Sequence, residues 1–143
     1  MIKVAYPKYN FRIKQEGNKE FIFDEIRKAW ISLTPEEWVR QNFLQWLMQV
    51  KQYPAPLISV EKEIKVNGLK KRYDIVVYKN AIPWMIVECK EMNVALNDAV
   101  ITQVVTYNSN LNVAYLVVTN GSSTHVFETS SARWMDSFPN FID

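Results

Sequence analysis

Glycine is scarce in this chain. Its 143 residues include three, whereas a phosphate-cradling loop needs several at fixed spacing, so the P-loop and dinucleotide fingerprints are excluded. A single cysteine, Cys89, excludes a disulfide framework and any multi-cysteine zinc centre. A single histidine, His125, excludes metal sites built from several histidines and leaves few ways to assemble a Ser/His or Cys/His dyad. Any metal site must therefore be built from carboxylates, the oxygen chemistry that suits Mg²⁺, Mn²⁺ or Ca²⁺. No apolar run approaches the roughly 20 residues of a transmembrane helix. The opening MIKVAYPKYN lacks a signal peptide's apolar stretch, so a cytoplasmic protein is expected. A dominant charge is missing too. Seventeen basic residues face 15 acidic ones, and the net charge of +2 does not by itself argue for nucleic acid.

What is present describes one globular domain. Hydrophobic residues make up 48% and charged residues 22%, ordinary for a folded domain of this length. Three parts are expected: an N-terminal hairpin extension over 1–32, a core over 33–129 and a tail over 130–143. Phe11 and Ile13, then Phe21 and Phe23, alternate with polar residues on either side of Gln15-Glu16-Gly17-Asn18, which predicts a hairpin over 11–23. Residues 24–31 read as a turn or short helix carrying Ile26 and Trp30. Thr34, Pro35 and Glu37 form the N-cap, first helical position and capping box of a helix. Its apolar face carries Val39, Phe43, Trp46, Leu47 and Val50, and Tyr53-Pro54-Ala55-Pro56 ends it. A strand over 57–66 has Ile58, Val60, Ile64 and Val66 in phase, and Asn67-Gly68 is a hairpin turn. Strands over 70–78 and 82–90 flank a break at Lys79-Asn80-Ala81. A helix over about 95–109 follows, then a strand over 113–119 whose continuous apolar run suits burial on both faces. Asn120-Gly121 leads into a last strand over 124–129, and the tail is expected to be loosely attached. The class is α/β, a mixed central sheet flanked by helices.

One constellation carries chemistry. A hairpin closing around Ala81 sets Asp74 opposite Glu88, with Cβ atoms about 4.5–5.5 Å apart. Lys90, two residues beyond Glu88, projects to the same face, and Cys89 to the other. Opposed like charges destabilise a sheet, and a bound cation is a natural reason to tolerate them. Two carboxylates and a lysine at one edge are equipment for phosphodiester hydrolysis: a metal polarises the phosphate and acidifies a water, and the lysine positions that water or neutralises growing charge. The competing reading is a set of surface ion pairs worth about 0–1 kcal/mol each. Glu88 ends the apolar run Trp84-Met85-Ile86-Val87, which weighs against that reading, but on these residues alone the two stand level.

Asp74…Glu88-x-Lys90 resembles the PD-(D/E)xK nuclease motif. The wider string resembles one family within it, the N-terminal nuclease domain of type I restriction enzyme R subunits. The matching pieces are Phe23-Asp24-x-Ile26-Arg27-Lys28, LTPEEWVRQNFLQWL at 33–47, Tyr53-Pro54, Glu61, Lys71-Arg72-Tyr73-Asp74-Ile75-Val76-Val77-Tyr78, Pro83, Val87-Glu88-Cys89-Lys90, Gln103, Tyr107-Asn108 and Thr119-Asn120-Gly121. They span roughly 20–128. The resemblance implies a restriction-endonuclease-like αβββαβ core and a Mg²⁺-dependent deoxyribonuclease, with Mn²⁺ as a substitute. It implies that Asp74, Glu88 and the backbone carbonyl of Cys89 ligate the metal and that Lys90 acts on the attacking water. Gln103 and Tyr107 match the family's QxxxY element, which helps place DNA or the metal's water shell. A glutamate of the first helix often completes such sites. Glu36 fits, since it lies three before Val39 while Glu37 is taken by capping, and Arg40 would hold Glu36 or touch phosphate. Lys71 and Arg72 would grip DNA phosphates. Two departures stand out. Tyr73 occupies the motif's proline position, and no Walker motif occurs, so cutting coupled to translocation is not expected of this polypeptide. Implied partners are DNA and restriction-modification or helicase subunits.

The remaining residues have plainer expectations. Cys89 reads as core filler, His125 as an ordinary strand residue, and Trp30, Trp38, Trp46 and Trp84 as packing residues. Trp134 and Phe138 would cover the sheet or contact another subunit, making a homodimer an open alternative. Lys62, Lys65, Lys70, Lys71 and Arg72 lean basic, diluted by Glu61 and Glu63, of which Glu61 matches the family pattern better. The alternative to a nuclease is a catalytically silent nucleic-acid-binding or protein-interaction module.

Overall fold

The structure, a computed structural model, describes every residue except Asn67 and Asp143, with the Val66 side chain also left aside. The first residue of the expected Asn67-Gly68 turn thus lies outside the described residues. Strands β1 (Ile13–Glu16), β2 (Lys19–Asp24) and β3 (Ala29–Ser32) form an antiparallel three-stranded sheet. The hairpin is therefore real but incomplete as expected. Residues 24–31 hold no helix; a turn leads into β3, because the Asp24 Oδ1 carboxylate accepts the backbone N–H groups of Ile26 and Arg27 and Lys28 takes a positive φ of 55°.

Helix α1 (Pro35–Gln45) starts as its cap predicts: the Thr34 hydroxyl accepts the Glu37 N–H at 3.1 Å. It widens into a π-helical turn over Trp46–Val50. α1 is buried on opposite sides, with Val39, Phe43 and Leu44 against the main sheet and Glu37, Arg40 and Gln41 also enclosed. It lies between the small sheet and the large one.

The large sheet runs in the order β4 (Ile58–Val66), β5 (Leu69–Lys79), β6 (Ile82–Cys89), β7 (Tyr115–Thr119), β8 (Thr124–Glu128) and β9 (Arg133–Trp134). Among the described residues only the β6–β7 pair is parallel, bridged by helix α2 (Asp98–Tyr107). The αβββαβ order is thus present. The α1 face of the sheet packs Ile58, Ile75, Val77, Met85, Val87 and Val117 against the helix. The other face gathers Tyr73, Val76, Ile86, Val113 and Leu116.

Two departures from simple alternation matter. Ile58 and Val60 pack on the α1 face, but Ile64 packs on the other, so the strand's apolar residues are not all in phase. In β5, Tyr73 and Val76 share a face while Ile75 takes the opposite one. Both strands break pleat at the same level. Glu61 has a φ of 55°, and the ladder resumes on either side with Val60 opposite Ile75 and Lys62 opposite Tyr73. A non-glycine residue at positive φ inside a strand is a strained position, and here it turns Glu61 and its neighbour Asp74 out of the regular pattern.

The tail is anchored, contrary to expectation. Phe138 is 6% exposed and packs edge-on to Trp46, with ring centroids 4.8 Å apart. The Tyr53 hydroxyl donates to the Pro139 carbonyl, and Lys79 Nζ donates to the Phe141 carbonyl. Trp134 lies in β9 and packs edge-on to Phe127. The aromatic residues of the tail close the end of the core, which gives the segment a structural reason to be aromatic.

The β5–β6 turn is Asn80-Ala81, with φ of 55° and 64°, the pattern of a type I′ hairpin. Alanine in that conformation carries a steric cost that glycine escapes. Ala81→Gly is expected to raise the stability of the chain by about 0.5–1 kcal/mol, after the entropic loss of the freer unfolded chain is subtracted. Urea unfolding of the two proteins checks this, and a lower midpoint for the variant would contradict it.

Candidate active site

The two carboxylates of the motif meet at the level where the pleat breaks. The β5–β6 ladder pairs Ile75 with Val87, so Asp74 and Glu88 come next in register. Instead of continuing the ladder, Asp74 uses its side chain: Oδ2 accepts the Cys89 N–H at 2.7 Å. On the far side of Asp74 stands Arg40, whose Nη1 lies 3.4 Å from Asp74 Oδ1 and 2.7 Å from Glu61 Oε1.

Arg40 is not a surface residue. It is 7% exposed, and its Nε donates to Glu37 Oε2 at 3.0 Å while Nη2 donates to Glu37 Oε1. Glu37 in turn takes both oxygens to Arg27 Nη2 at 3.0 Å. Arg27 Nε reaches Asp24 Oδ2 at 2.7 Å, and Gln41 bridges Asp24 and Glu37. The result is one connected network from the small sheet through α1 to Asp74. Bidentate guanidinium–carboxylate contacts of this kind are stronger and more directional than neutral hydrogen bonds. Burial alone would raise the Glu37 carboxyl, but the hydrogen bonds from Arg40 and Gln41 and the two guanidinium charges hold it below the ordinary value.

The acidic groups facing the site are pushed the other way. Burial is the main cause for Glu88, with Asp74 next, and together they raise it to about 7 against the partial relief from Lys90. Asp74 is raised by burial, and the Cys89 N–H, Arg40 and Lys90 only partly offset this. Glu36 is raised by burial and then by Asp74, with Lys90 and Arg40 opposing. Asp74, Glu88, Glu36 and Lys90 thus act on one another electrostatically. The Lys90 N–H is fixed to the Thr119 carbonyl at 2.8 Å, seating the residue at the end of the parallel β6–β7 pair.

Several sequence expectations change in detail. Glu37 serves the cap through its backbone N–H alone, and its carboxylate, which a capping box would turn back to Thr34, goes to Arg27, Arg40 and Gln41. Arg40 is committed to three carboxylates, those of Glu37, Glu61 and Asp74, which takes it away from phosphate. Cys89 is a buried thiol raised well above its ordinary value by burial first, in keeping with core filler; its N–H is the part that serves the site. Gln103 is exposed on α2, one turn before Tyr107. Tyr107 is 64% exposed, with Lys71 Nζ 3.8 Å above its ring. Arg72 lies outward, its side chain 66% exposed and 4.0 Å from Glu61. His125 lies in β8, level with Glu88 but two strands away across Val118, and is lowered chiefly by burial.

Asp24, Arg27 and Gln41 belong to the site's support and were not expected there. Their signal was the strings Phe23-Asp24-x-Ile26-Arg27 and Arg40-Gln41, which carry charged and amide residues beside apolar positions.

Among the described residues, no three His, Cys, Asp or Glu side chains stand close enough together to hold a metal ion. The donor set nonetheless fits Mg²⁺ or Mn²⁺, because Mg²⁺ keeps several waters and is commonly held by one or two carboxylates. Asp74 and Glu88 supply those, and Glu61 is held aside by Arg40.

Residues 35–139 match the family described as type I restriction enzyme R protein N terminus. The chain belongs to this family. Among curated proteins none matches the chain. A solved structure described as a fragment of an HsdR subunit of a type I restriction enzyme from Vibrio vulnificus YJ016 is similar at 22% identity, with a TM-score of 0.45 over 58% of this chain. The chain spans 19% of that protein's length. No helix among the described residues is long and apolar enough to cross a membrane.

The raised carboxyls have a consequence for stability in the absence of metal. A carboxyl with a higher pKa folded than unfolded keeps its proton longer in the native state, so raising the pH between the two values favours unfolding. For Glu88 that window runs from the ordinary 4.5 to about 7. Metal-free protein is expected to lose stability as pH climbs through this window, by at most about 3 kcal/mol from this group. Glu88→Gln should flatten the decline. Urea unfolding from pH 5 to 8 in EDTA measures it, and a wild-type curve that is flat or rising there would contradict the assignment.

Proposed function

We propose that the chain is a divalent-metal-dependent deoxyribonuclease domain that hydrolyses phosphodiester bonds in a restriction system. The observation that supports this reading is the register that sets Asp74 and Glu88 next to one another on β5 and β6, where Asp74 helps to raise the Glu88 carboxyl and Lys90 opposes it. Membership of the R protein family supports the setting, in which DNA is the substrate and restriction-modification subunits are the partners.

Asp74, Glu88 and the Cys89 backbone carbonyl would hold the ion. Bound there, Mg²⁺ would supply Lewis-acid polarisation of a phosphate oxygen and a more acidic water. The residues of the chain divide the remaining work. Lys90 orients the attacking water and offsets the negative charge that grows on the phosphate. Glu36, raised and facing Asp74, and Gln103 complete the polar surround of the water. Lys71 and Arg72 present charge to the DNA backbone, and the exposed Tyr107 ring offers an apolar face beside them. Such contacts position a strand without reading its sequence. Arg40 holds Asp74 from behind.

The reading predicts that the protein nicks or cuts plasmid DNA in Mg²⁺ or Mn²⁺ and not in EDTA. Asp74→Ala and Lys90→Ala should each lower the rate by at least about 100-fold. Plasmid relaxation assays with matched protein preparations provide the check. Cleavage unchanged in either variant would overturn the assignment of that residue. Salt-sensitive DNA binding without cleavage by the wild type would favour a silent binding module.

A further inference from the structure

Tyr73 stands where the nuclease motif has proline, and the structure gives its side chain an unusual condition. The residue is 2% exposed, yet its hydroxyl has no hydrogen-bond partner among the described residues. Buried polar groups are paired in most folded proteins, and an exception calls for an explanation. Tyr53, equally buried, gives its hydroxyl to the Pro139 carbonyl. Tyr6 and Tyr9 share the unpaired condition, but Tyr73 is the one adjoining Asp74 in the chain.

The placement follows from the pleat break. Tyr73 packs with Val76 and Ile86 on the face of the sheet opposite α1. Glu88 lies two residues beyond Ile86 on the same strand, so it projects to that face as well. A tyrosine hydroxyl is protonated at neutral pH and can donate. A carboxylate that ligates an ion with one oxygen is commonly oriented by a hydrogen bond to the other, and such partners affect metal affinity strongly.

We propose that Tyr73 is a positioning residue whose hydroxyl donates to the free oxygen of Glu88 when that carboxylate engages a divalent cation. The inference rests on the metal-dependent reading above. Tyr73 does not touch the ion or the phosphate; it fixes the carboxylate that does.

Tyr73→Phe removes the hydroxyl and keeps the ring. Mn²⁺ alone, titrated calorimetrically into the full chain, is the probe, with thermal unfolding in EDTA as the companion measurement. The expected result is a metal-free melting temperature equal to or above wild type, because an unpaired buried hydroxyl has been deleted, together with an Mn²⁺ dissociation constant weakened about 10-fold or more. A hydroxyl with a purely structural role would move the melting temperature and leave Mn²⁺ affinity alone. Affinity within about twofold of wild type in a folded variant overturns the inference and leaves the metal site standing. Absence of Mn²⁺ binding by the wild type, both alone and with duplex DNA, overturns the metal-dependent reading and this inference with it.

Discussion

The site depends on a buried guanidinium. Arg40 sits within α1, almost out of solvent, and bonds to carboxylates from its own helix, from β4 and from β5. Taking Arg40 and Glu37 out of water, with Asp74 partly buried beside them, is unfavourable by itself. The network succeeds because Arg27 brings a second positive charge to Glu37, and Gln41 adds a further donor to an oxygen each of Asp24 and Glu37. Once assembled, it cannot lose one member cheaply: breaking a buried pair typically costs about 3–5 kcal/mol, since the partner remains buried and uncompensated. That constraint locks α1 to the large sheet at the height of Asp74. It also ties in the small sheet through Asp24. The N-terminal strands are therefore part of the support for the edge that carries Asp74 and Glu88.

Against this background the electrostatics of the edge separate into two kinds of carboxylate. Glu37 is fully matched by guanidinium groups and is held below its ordinary pKa. Glu88, Asp74 and Glu36 are raised, because burial and mutual repulsion outweigh the help from Lys90 and Arg40. Pairs of titratable groups driven apart in this way mark functional sites more often than structural ones. A positive charge beside Asp74 and Glu88 would offset that repulsion. Glu61 occupies the boundary between the two kinds: its backbone is strained to deliver its carboxylate to Arg40, and the oxygen left over looks toward Arg72.

The expected register of the active hairpin matched for a reason that the residues do not show. The turn centres on Asn80-Ala81, pairing Lys79 with Ile82, and that register alone would miss the Asp74–Glu88 match by one residue. A bulge between Val77 and Tyr78 inserts the missing step. Turn chemistry and alternation gave the element order and the cap at Thr34 directly. They did not give β3, because the Asp24 turn is made by side-chain acceptance that looks like helix initiation in sequence. They did not give the pleat break at Glu61, which is a positive-φ residue with no glycine to announce it. The tail was misjudged since its anchors are backbone carbonyls and stacked rings, features that have no period. The buried network was the least legible part, because charged side chains on a helix ordinarily mean solvent, and here the small sheet covers that side of α1.

The central claim is that Asp74 and Glu88 form a cation site whose like-charge strain is relieved on loading. The most direct measurement is the number of protons released when Mn²⁺ binds, obtained by calorimetry at pH 6 in buffers of different ionisation enthalpy. A carboxyl raised to about 7 is mostly protonated at that pH and must lose its proton to ligate. The account predicts release of about one proton per ion at pH 6, falling toward zero at pH 8. Binding that releases no proton at pH 6 would contradict it, since Glu88 would then either be ionised already or take no part in holding the ion.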